Sequence, residues 1–373
     1  MLPTRALEYD LPEALIATAP ATPRDSAQLL VVSRSDPNLR ELTTVRHLPS
    51  LLRAGDALVV NDTKVVRARL VGRRVPTGGR VEGLFLEEQA PGRWLVALKA
   101  NGPLRPGVVV ELSPADAAGS ASGPVALTLH ERRRRGAWLV EVAPPEPAPT
   151  LLERAGRPPL PPYILSARRK ASQPTERDDD AQRYQTVYAR AEVVDGALGS
   201  VAAPTAGLHF TPRLLEDLQA RGVLRVPVTL GVGPGTFLPI ESEHVEEHPM
   251  HAERLCVSAE AQRRLAEARS AGGRVVAVGT TTARALESLA PLTDPRASFA
   301  TVERSTSLLI APGHAWRNVD ALLTNFHLPR STLLALVAAL FPGGVEELLA
   351  HYRFAVERRL RFYSFGDAML VLP

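Results

Sequence analysis

The chain has 373 residues, of which 45% are hydrophobic, with a formal net charge of +4. That is enough apolar content for a full core, and no apolar run approaches the ~18 residues a membrane span requires. A single cysteine, Cys256, excludes an intramolecular disulfide and a Cys-rich zinc site.

The 44 basic residues include only three lysines, Lys64, Lys99 and Lys170, so arginine carries almost all the positive charge. Together with 33 prolines this reads as compositional bias, and an Arg-rich surface permits an RNA partner without proving one. The opening MLPTRALEYDLPEALIATAP has acids and prolines where a secretory leader has basic and then apolar residues, so a cytoplasmic location with no membrane contact is expected.

In chain order, the first apolar strand is DALVV, ending in Asn61-Asp62-Thr63-Lys64. Six short β-like runs follow: VRARLVGRR, RVEGLFLEE, RWLVALK, GVVVEL, VALTLHE and AWLVEV, separated by turn signals such as GG and PG. Short, closely spaced strands without a helical stretch predict a small antiparallel barrel or sandwich. A proline-rich seam, APPEPAPTLLERAGRPPLPPYI, marks a boundary, and the charged ARRKASQPTERDDDAQR beyond it is expected to be mobile.

After the seam the pattern changes to apolar strands followed by amphipathic helices. SVAAP leads into Thr205-Ala206-Gly207-Leu208-His209, and Thr211-Pro212 signals a helix start that Gly222 would close. VPVTLGV leads into GVGPGTF, a helix is expected from Ser258 to Ala271, and RVVAVG leads into Gly279-Thr280-Thr281-Thr282. SLLIAP ends at Gly313-His314, and DALLTNF ends at Thr324-Asn325-Phe326-His327, with Ser331 and Thr332 starting a helix. Strand–helix alternation predicts a mostly parallel α/β layer, barrel-like or an open sheet. The expected organisation is a discontinuous α/β domain, 1–64 plus 151–373, interrupted by the small barrel at 65–150.

In such layers ligands bind beyond the carboxyl ends of the strands. Six strand ends carrying Gly, Thr, Asn and His would meet on one rim, more than helix capping explains. GVGPGTF lacks the third glycine of a dinucleotide-binding loop, and His248-Pro-Met-His251 has metal-like spacing but no third ligand near it, so neither a Rossmann cofactor nor a metal is expected. From residues alone the reading stops at an α/β enzyme for a polar, partly anionic ligand.

At these residues the sequence resembles the S-adenosylmethionine:tRNA ribosyltransferase-isomerases of queuosine biosynthesis. The likeness runs almost end to end: YDLPEALIATAP, GDALVVNDTKVVRARLVGR, LPPYI, YQTVYA, SVAAPTAGLHFT, GVGPGTFLPIE, HPMHAE, VAVGTTTARALES, VDALLTNFHLPRSTLLALV and FGDAML. The chain departs from the family pattern at Gln28, Thr44, Gly231, Leu360 and Phe365, which stand where Arg, His, His, Tyr and Tyr are usual; these positions cannot supply essential groups here.

The resemblance implies an α/β domain with an inserted β-barrel. It also implies transfer of the ribosyl moiety of S-adenosylmethionine to 7-aminomethyl-7-deazaguanine at the tRNA wobble position. The product would be epoxyqueuosine, with adenine and methionine released. S-adenosylmethionine is then a co-substrate, with no prosthetic group, and a monomer is expected. Such chemistry needs a base at C5′, an acid for adenine and donors for developing oxyanions.

His209 and His327 are the first candidates for proton transfer, with His251 and Glu253 as an alternative pair, and Thr324, Asn325 and Thr205 holding the ribose or an oxyanion. Thr280, Thr281, Thr282 and the loop residues Gly233, Gly235, Thr236 and Phe237 would approach the carboxylate or sugar, beside Asn61 and Asp62. Lys64 or Arg284 would pair with the methionine carboxylate. The anticodon arm of the tRNA would present an unstacked base to Tyr163, Tyr184 and Gln185, with phosphate contacts from Arg67, Arg69 and Arg132–Arg135. The alternatives are an S-adenosylmethionine-dependent RNA methyltransferase and a non-catalytic RNA-binding protein.

Overall fold

Continuous apolar runs build the centre of a nine-stranded sheet in the computed structural model, which describes residues 1–115, 123–133, 136–190, 199–233 and 239–373. The strands are β1 (Gln28–Ser33), β2 (Arg40–Thr44), β3 (Ala57–Asn61), β4 (Arg69–Val75), β5 (Arg80–Ala90), β6 (Arg93–Ala100), β7 (Val109–Leu112) and β8 (Val125–Arg132). They continue with β9 (Ala137–Ala143), β10 (Gly156–Arg157), β11 (Leu224–Leu230), β12 (Glu253–Val257), β13 (Val275–Val278), β14 (Val302–Thr306), β15 (Ala321–Asn325) and β16 (Ala368–Leu372).

The large sheet runs β14-β12-β11-β3-β13-β15-β16-β1-β2. Its centre, β11-β3-β13-β15, is parallel, so four carboxyl ends share one edge. Outside that centre the sheet is mixed: β16 returns antiparallel to β15, β1 lies parallel to β16, and β12 and β14 add antiparallel pairs on the far side. Strands β3, β13 and β15 are buried at every position, as expected for a sheet covered on both faces. Alternation then divides the core. Ala57 and Val59 join the cluster on one face, with Ala277 and Leu322, while Leu58 and Val60 join the other, with Val278 and Leu323.

The six expected short strands all form, and they close into an antiparallel barrel in the order β4-β5-β6-β9-β8-β7, with β7 pairing back onto β4. At this seam a Cβ on Gly72 would lie 2.4 Å from the carbonyl oxygen of Glu111, so the closing strands approach closely only because residue 72 has no side chain. Phe85 and Trp94 fill the interior edge to face, 5.0 Å between ring centres.

Three local expectations are corrected. SVAAP is no strand: Ser200 makes an isolated bridge to Val65, and Val201 N–H donates to the Val232 carbonyl, so its backbone groups are satisfied by loops. SLLIAP is also irregular, and the strand lies just before it, at β14 on the sheet edge. The charged stretch expected to be mobile instead holds the last turn of the helix Pro162–Lys170 and the short helix Asp180–Arg183, joined through Arg168. That side chain is fully buried and forks onto Asp180, 2.7 Å to each carboxylate oxygen, with further bonds to the Thr18 and Thr175 carbonyls. A charge run that reads as solvated thus contains a paired, buried ion pair.

Helix starts follow their caps: Thr211 accepts from Leu214 N–H, Ser258 from Ala261 N–H and Ser331 from Leu334 N–H.

Candidate functional site

Beyond the carboxyl ends of β13 and β15 lies a cleft of ≈ 500 Å³, part of it open to solvent. The turn Gly279-Thr280-Thr281 forms one side, Thr324, Asn325 and His327 the floor, and Thr205 with Ala203 and Pro204 another side. Tyr163, Tyr363 and Ser364 complete it. Gly279 has φ +88, a conformation that favours glycine, at the turn from β13 into the helix Thr280–Glu287, whose first two residues line the cleft.

His327 is held from three directions. Its Nε2 is 2.8 Å from the Thr324 hydroxyl, its carbonyl accepts from the Tyr9 hydroxyl at 2.5 Å, and its N–H donates to the Tyr352 hydroxyl at 2.9 Å. Burial pushes the imidazole down to about 3 from its ordinary 6.5, so the ring is neutral at neutral pH. His209 is also buried, and burial outweighs the nearby Asp367 carboxylate to push it down to about 4. The near-neutral base expected from sequence is therefore not what this free site presents; both rings are uncharged bases.

Asn325 links the two. Its Nδ2 lies 3.1 Å from His209 Nε2 and donates to the Tyr363 carbonyl at 3.2 Å. Its Oδ1 is buried and, like the hydroxyl of Thr281, has no hydrogen-bond partner among the described residues. Both residues line the cleft, and the donor and acceptor capacity of these two buried atoms is used by no described residue.

The remaining candidates lie around this centre rather than in it. The Thr282 hydroxyl turns back to the Val278 carbonyl at 2.7 Å. Arg284 pairs with Glu253 and donates to the Leu308 carbonyl, and Gly233 N–H reaches the same Glu253 carboxylate at 3.4 Å. His251 lies two residues before Glu253 and does not line the cleft. Asn61 extends the β3–β11 ladder, bonding both the N–H and carbonyl of Leu230. Asp62 is engaged by Arg190 at 2.5 Å and by the Thr229 hydroxyl at 2.7 Å, while the Lys64 carbonyl accepts from Ser200 N–H at 2.7 Å. Gly235, Thr236 and Phe237 lie outside the described residues.

Of the expected base-pocket residues, Tyr163 lines the cleft with its hydroxyl on Ser364, Tyr184 is buried with its ring against Phe365, and Gln185 clamps both backbone groups of Val65. Arg67 lies on the barrel surface beside Glu153, 3.3 Å away. Arg69 points inward to Glu176 and Glu82, at 2.8 and 3.3 Å. Arg132 is the exposed last residue of β8 and Arg133, also exposed, follows it, with Arg134 and Arg135 outside the described residues. His314, from the fifth of the six expected rim segments in chain order, bonds Glu287 at the far end of the helix that begins at Thr280.

Sequence reading missed Tyr9, Tyr352 and Tyr363. The first two are 318 and 25 residues from the histidine they hold, so no spacing rule connects them. Tyr363 has φ +71, an uncommon conformation for an aromatic residue, and it is this turn that presents its carbonyl to Asn325.

A profile of the family described as "Queuosine biosynthesis protein" matches residues 4–371. An S-adenosylmethionine:tRNA ribosyltransferase-isomerase of Anaeromyxobacter sp. (strain Fw109-5) is 49% identical, over 98% of this chain and 97% of its own length. The protein of the same name from Synechococcus elongatus is 43% identical, over 99% and 95%. Among solved structures, the S-adenosylmethionine tRNA ribosyltransferase of Thermotoga maritima is similar with a TM-score of 0.52 and 30% identity, over 98% of this chain and all of that one.

Proposed function

The chain belongs to the queuosine biosynthesis protein family, and from that membership we infer that it is an S-adenosylmethionine:tRNA ribosyltransferase-isomerase, an enzyme of tRNA modification. It transfers the ribosyl moiety of S-adenosylmethionine to the 7-aminomethyl-7-deazaguanine of tRNA and isomerises it to the epoxycyclopentane of epoxyqueuosine, releasing adenine and methionine. The names of its relatives favour this over methyl transfer or RNA binding without catalysis. We propose two domains, 1–64 with 151–373 for catalysis and 65–150 as the inserted barrel.

The observation that carries the site assignment is the pair of buried, unpartnered atoms, Asn325 Oδ1 and Thr281 Oγ1, in one cleft at the carboxyl edge of the parallel strands. We place S-adenosylmethionine there. A neutral His327 suits a sulfonium substrate, since an imidazolium would repel it. The sulfonium acidifies the C5′ hydrogens, and His327 takes one. The imidazolium so formed is paired at once with the sulfur-stabilised carbanion, which offsets the cost of charging a buried ring. The Thr324 hydroxyl fixes the ring, and the N–H groups at the start of the Thr280–Glu287 helix offer donors to oxygens that gain charge. The carbanion expels the ring oxygen from C4′, and that oxygen becomes a C1′ carbonyl as adenine leaves with a proton from the imidazolium. The aminomethyl nitrogen adds at C4′ and loses a proton, the carbanion regenerated at C5′ closes the carbocycle onto C1′, and the resulting alkoxide displaces methionine from C5′ to give the epoxide.

For the tRNA, the proposed surface comprises Tyr163 at the cleft mouth and the exposed arginines of the barrel. The Arg67–Glu153 pair is solvent-exposed on the Glu153 side and weak enough to exchange its carboxylate for a phosphate.

The test is product analysis with S-adenosylmethionine and tRNA carrying 7-aminomethyl-7-deazaguanine. Adenine and methionine should appear together and only with the modified tRNA. S-adenosylhomocysteine would establish methyl transfer instead, and tRNA binding without either product would make the chain a binding protein.

A further inference from the structure

Asn325 lines the cleft, and His209, which is not among the lining residues, contacts its amide. The Tyr363 carbonyl can only accept, so the atom of the Asn325 amide that faces it is the Nδ2 donor. The same nitrogen faces His209 Nε2, which therefore accepts and carries its proton on Nδ1. With both amide hydrogens committed to protein acceptors, Oδ1 is turned away from them, buried and unpaired.

We propose that His209 is a positioning residue for the ribosyl-transfer reaction. Its Nε2 locks the Asn325 amide so that Oδ1 stands ready to accept from an N–H or O–H donor of the bound sulfonium nucleoside. This rests on the functional reading above and deepens it: the cleft discriminates by an acceptor of fixed direction, and the second histidine of the site does no proton transfer. Without His209 the amide keeps only the Tyr363 carbonyl, at 3.2 Å, as an acceptor, so one of its two restraints is gone and Oδ1 is less strictly aimed. Protonation of His209 would have the same effect, because an imidazolium has no acceptor.

Glutamine separates positioning from proton transfer. In H209Q the Oε1 can still accept from Asn325 Nδ2 but cannot act as a base near neutral pH, whereas H209F removes the acceptor. The measurements are the Kd for S-adenosylmethionine by calorimetry and the kcat and KM for adenine release, for the wild type, H209Q, H209F, N325A and H209F/N325A.

H209Q should stay within about threefold of wild type in kcat and Kd, while H209F and N325A each weaken S-adenosylmethionine binding about tenfold, the scale of one well-made hydrogen bond, with a smaller loss in kcat. The double variant should bind no worse than N325A, because His209 acts through that amide. An H209Q protein that binds S-adenosylmethionine normally yet has lost turnover would overturn the inference in favour of proton transfer, and additive losses in the double variant would overturn it in favour of independent roles. Should H209F fail to fold, H209Q and N325A decide the matter by the same criteria. A wild type that binds S-adenosylmethionine but releases no adenine would refute the functional reading alone, since the Kd series still decides. A wild type with no affinity for S-adenosylmethionine would overturn both.

Discussion

At the scale of single residues, the site is a set of polar atoms whose partners are either tightly specified or withheld. Thr281 is of the second kind. Removing a buried hydroxyl that has no partner relieves a desolvation cost in the free protein. Thr281→Val keeps the shape, so its melting temperature should equal or exceed that of the wild type, while its affinity for S-adenosylmethionine falls by up to about tenfold. Opposite signs for stability and binding would identify Oγ1 as a ligand contact; a fall in both would make it a structural group.

Tyr352 is of the first kind. Replacing it with Phe leaves His327 N–H buried without an acceptor, which costs about 1–3 kcal/mol and should lower both stability and turnover. An unchanged melting temperature for Y352F would show that the N–H finds another partner. The contrast explains what sequence could show here. Thr324, Asn325 and His327 stand out because polar residues at the end of an apolar strand need a reason. The tyrosines that hold His327, one 318 and the other 25 residues away, look like ordinary core aromatics until the fold brings them to it.

At the scale of elements, burial periodicity made β3, β11, β13 and β15 readable, and turn chemistry made the six barrel strands readable. The failures have a common cause. SVAAP and SLLIAP are apolar runs of strand length, but their backbone groups are satisfied by loops, and periodicity cannot separate a buried loop from a buried strand. Two departures from the family pattern meet only in register: Gln28 and Thr44 oppose each other across β1 and β2, outside the residues lining the cleft.

The barrel's closure offers a test of its proposed separate role. In G72A the new methyl would meet the Glu111 carbonyl at 2.4 Å, so the β4–β7 seam must open or shift, at a cost of about 1–3 kcal/mol. The strain is confined to the barrel. Affinity for tRNA should fall while the Kd for S-adenosylmethionine stays at the wild-type value, and a matching loss of both would show that the barrel and the cleft fold as one unit.

For the whole molecule, the buried histidines couple the site to acid stability. His209 and His327 are pushed down by burial from 6.5 to about 4 and about 3. His351, fully buried outside the cleft, is pushed down to about 4 by burial and then by Arg40, whose Nε donates to its Nδ1 at 3.0 Å. Each group has a folded value below its unfolded one, so the unfolded chain takes up protons that the folded chain refuses. The stability involved is complete above about pH 6.5 and is lost progressively as pH falls toward the folded values.

Each histidine contributes a slope of about 1.4 kcal/mol per pH unit in that window, and the three together roughly 4, a large share of the 5–15 kcal/mol that holds a typical domain. Asp56 adds the same sign at lower pH. Burial would raise its carboxyl, but Arg274 and the backbone N–H groups of Arg53 and Arg274 overcome this and hold it below 3.8. Urea unfolding midpoints should therefore be flat between pH 8 and 7 and fall steeply below 6.5. Binding of S-adenosylmethionine to the folded protein should instead hold through that window and fall only as pH approaches about 4, since His327 and His209 keep their roles while neutral. A midpoint independent of pH down to 5 would mean that these rings exchange protons as freely in the fold as in water, and the neutral, desolvated cleft assigned to the sulfonium would have to be abandoned.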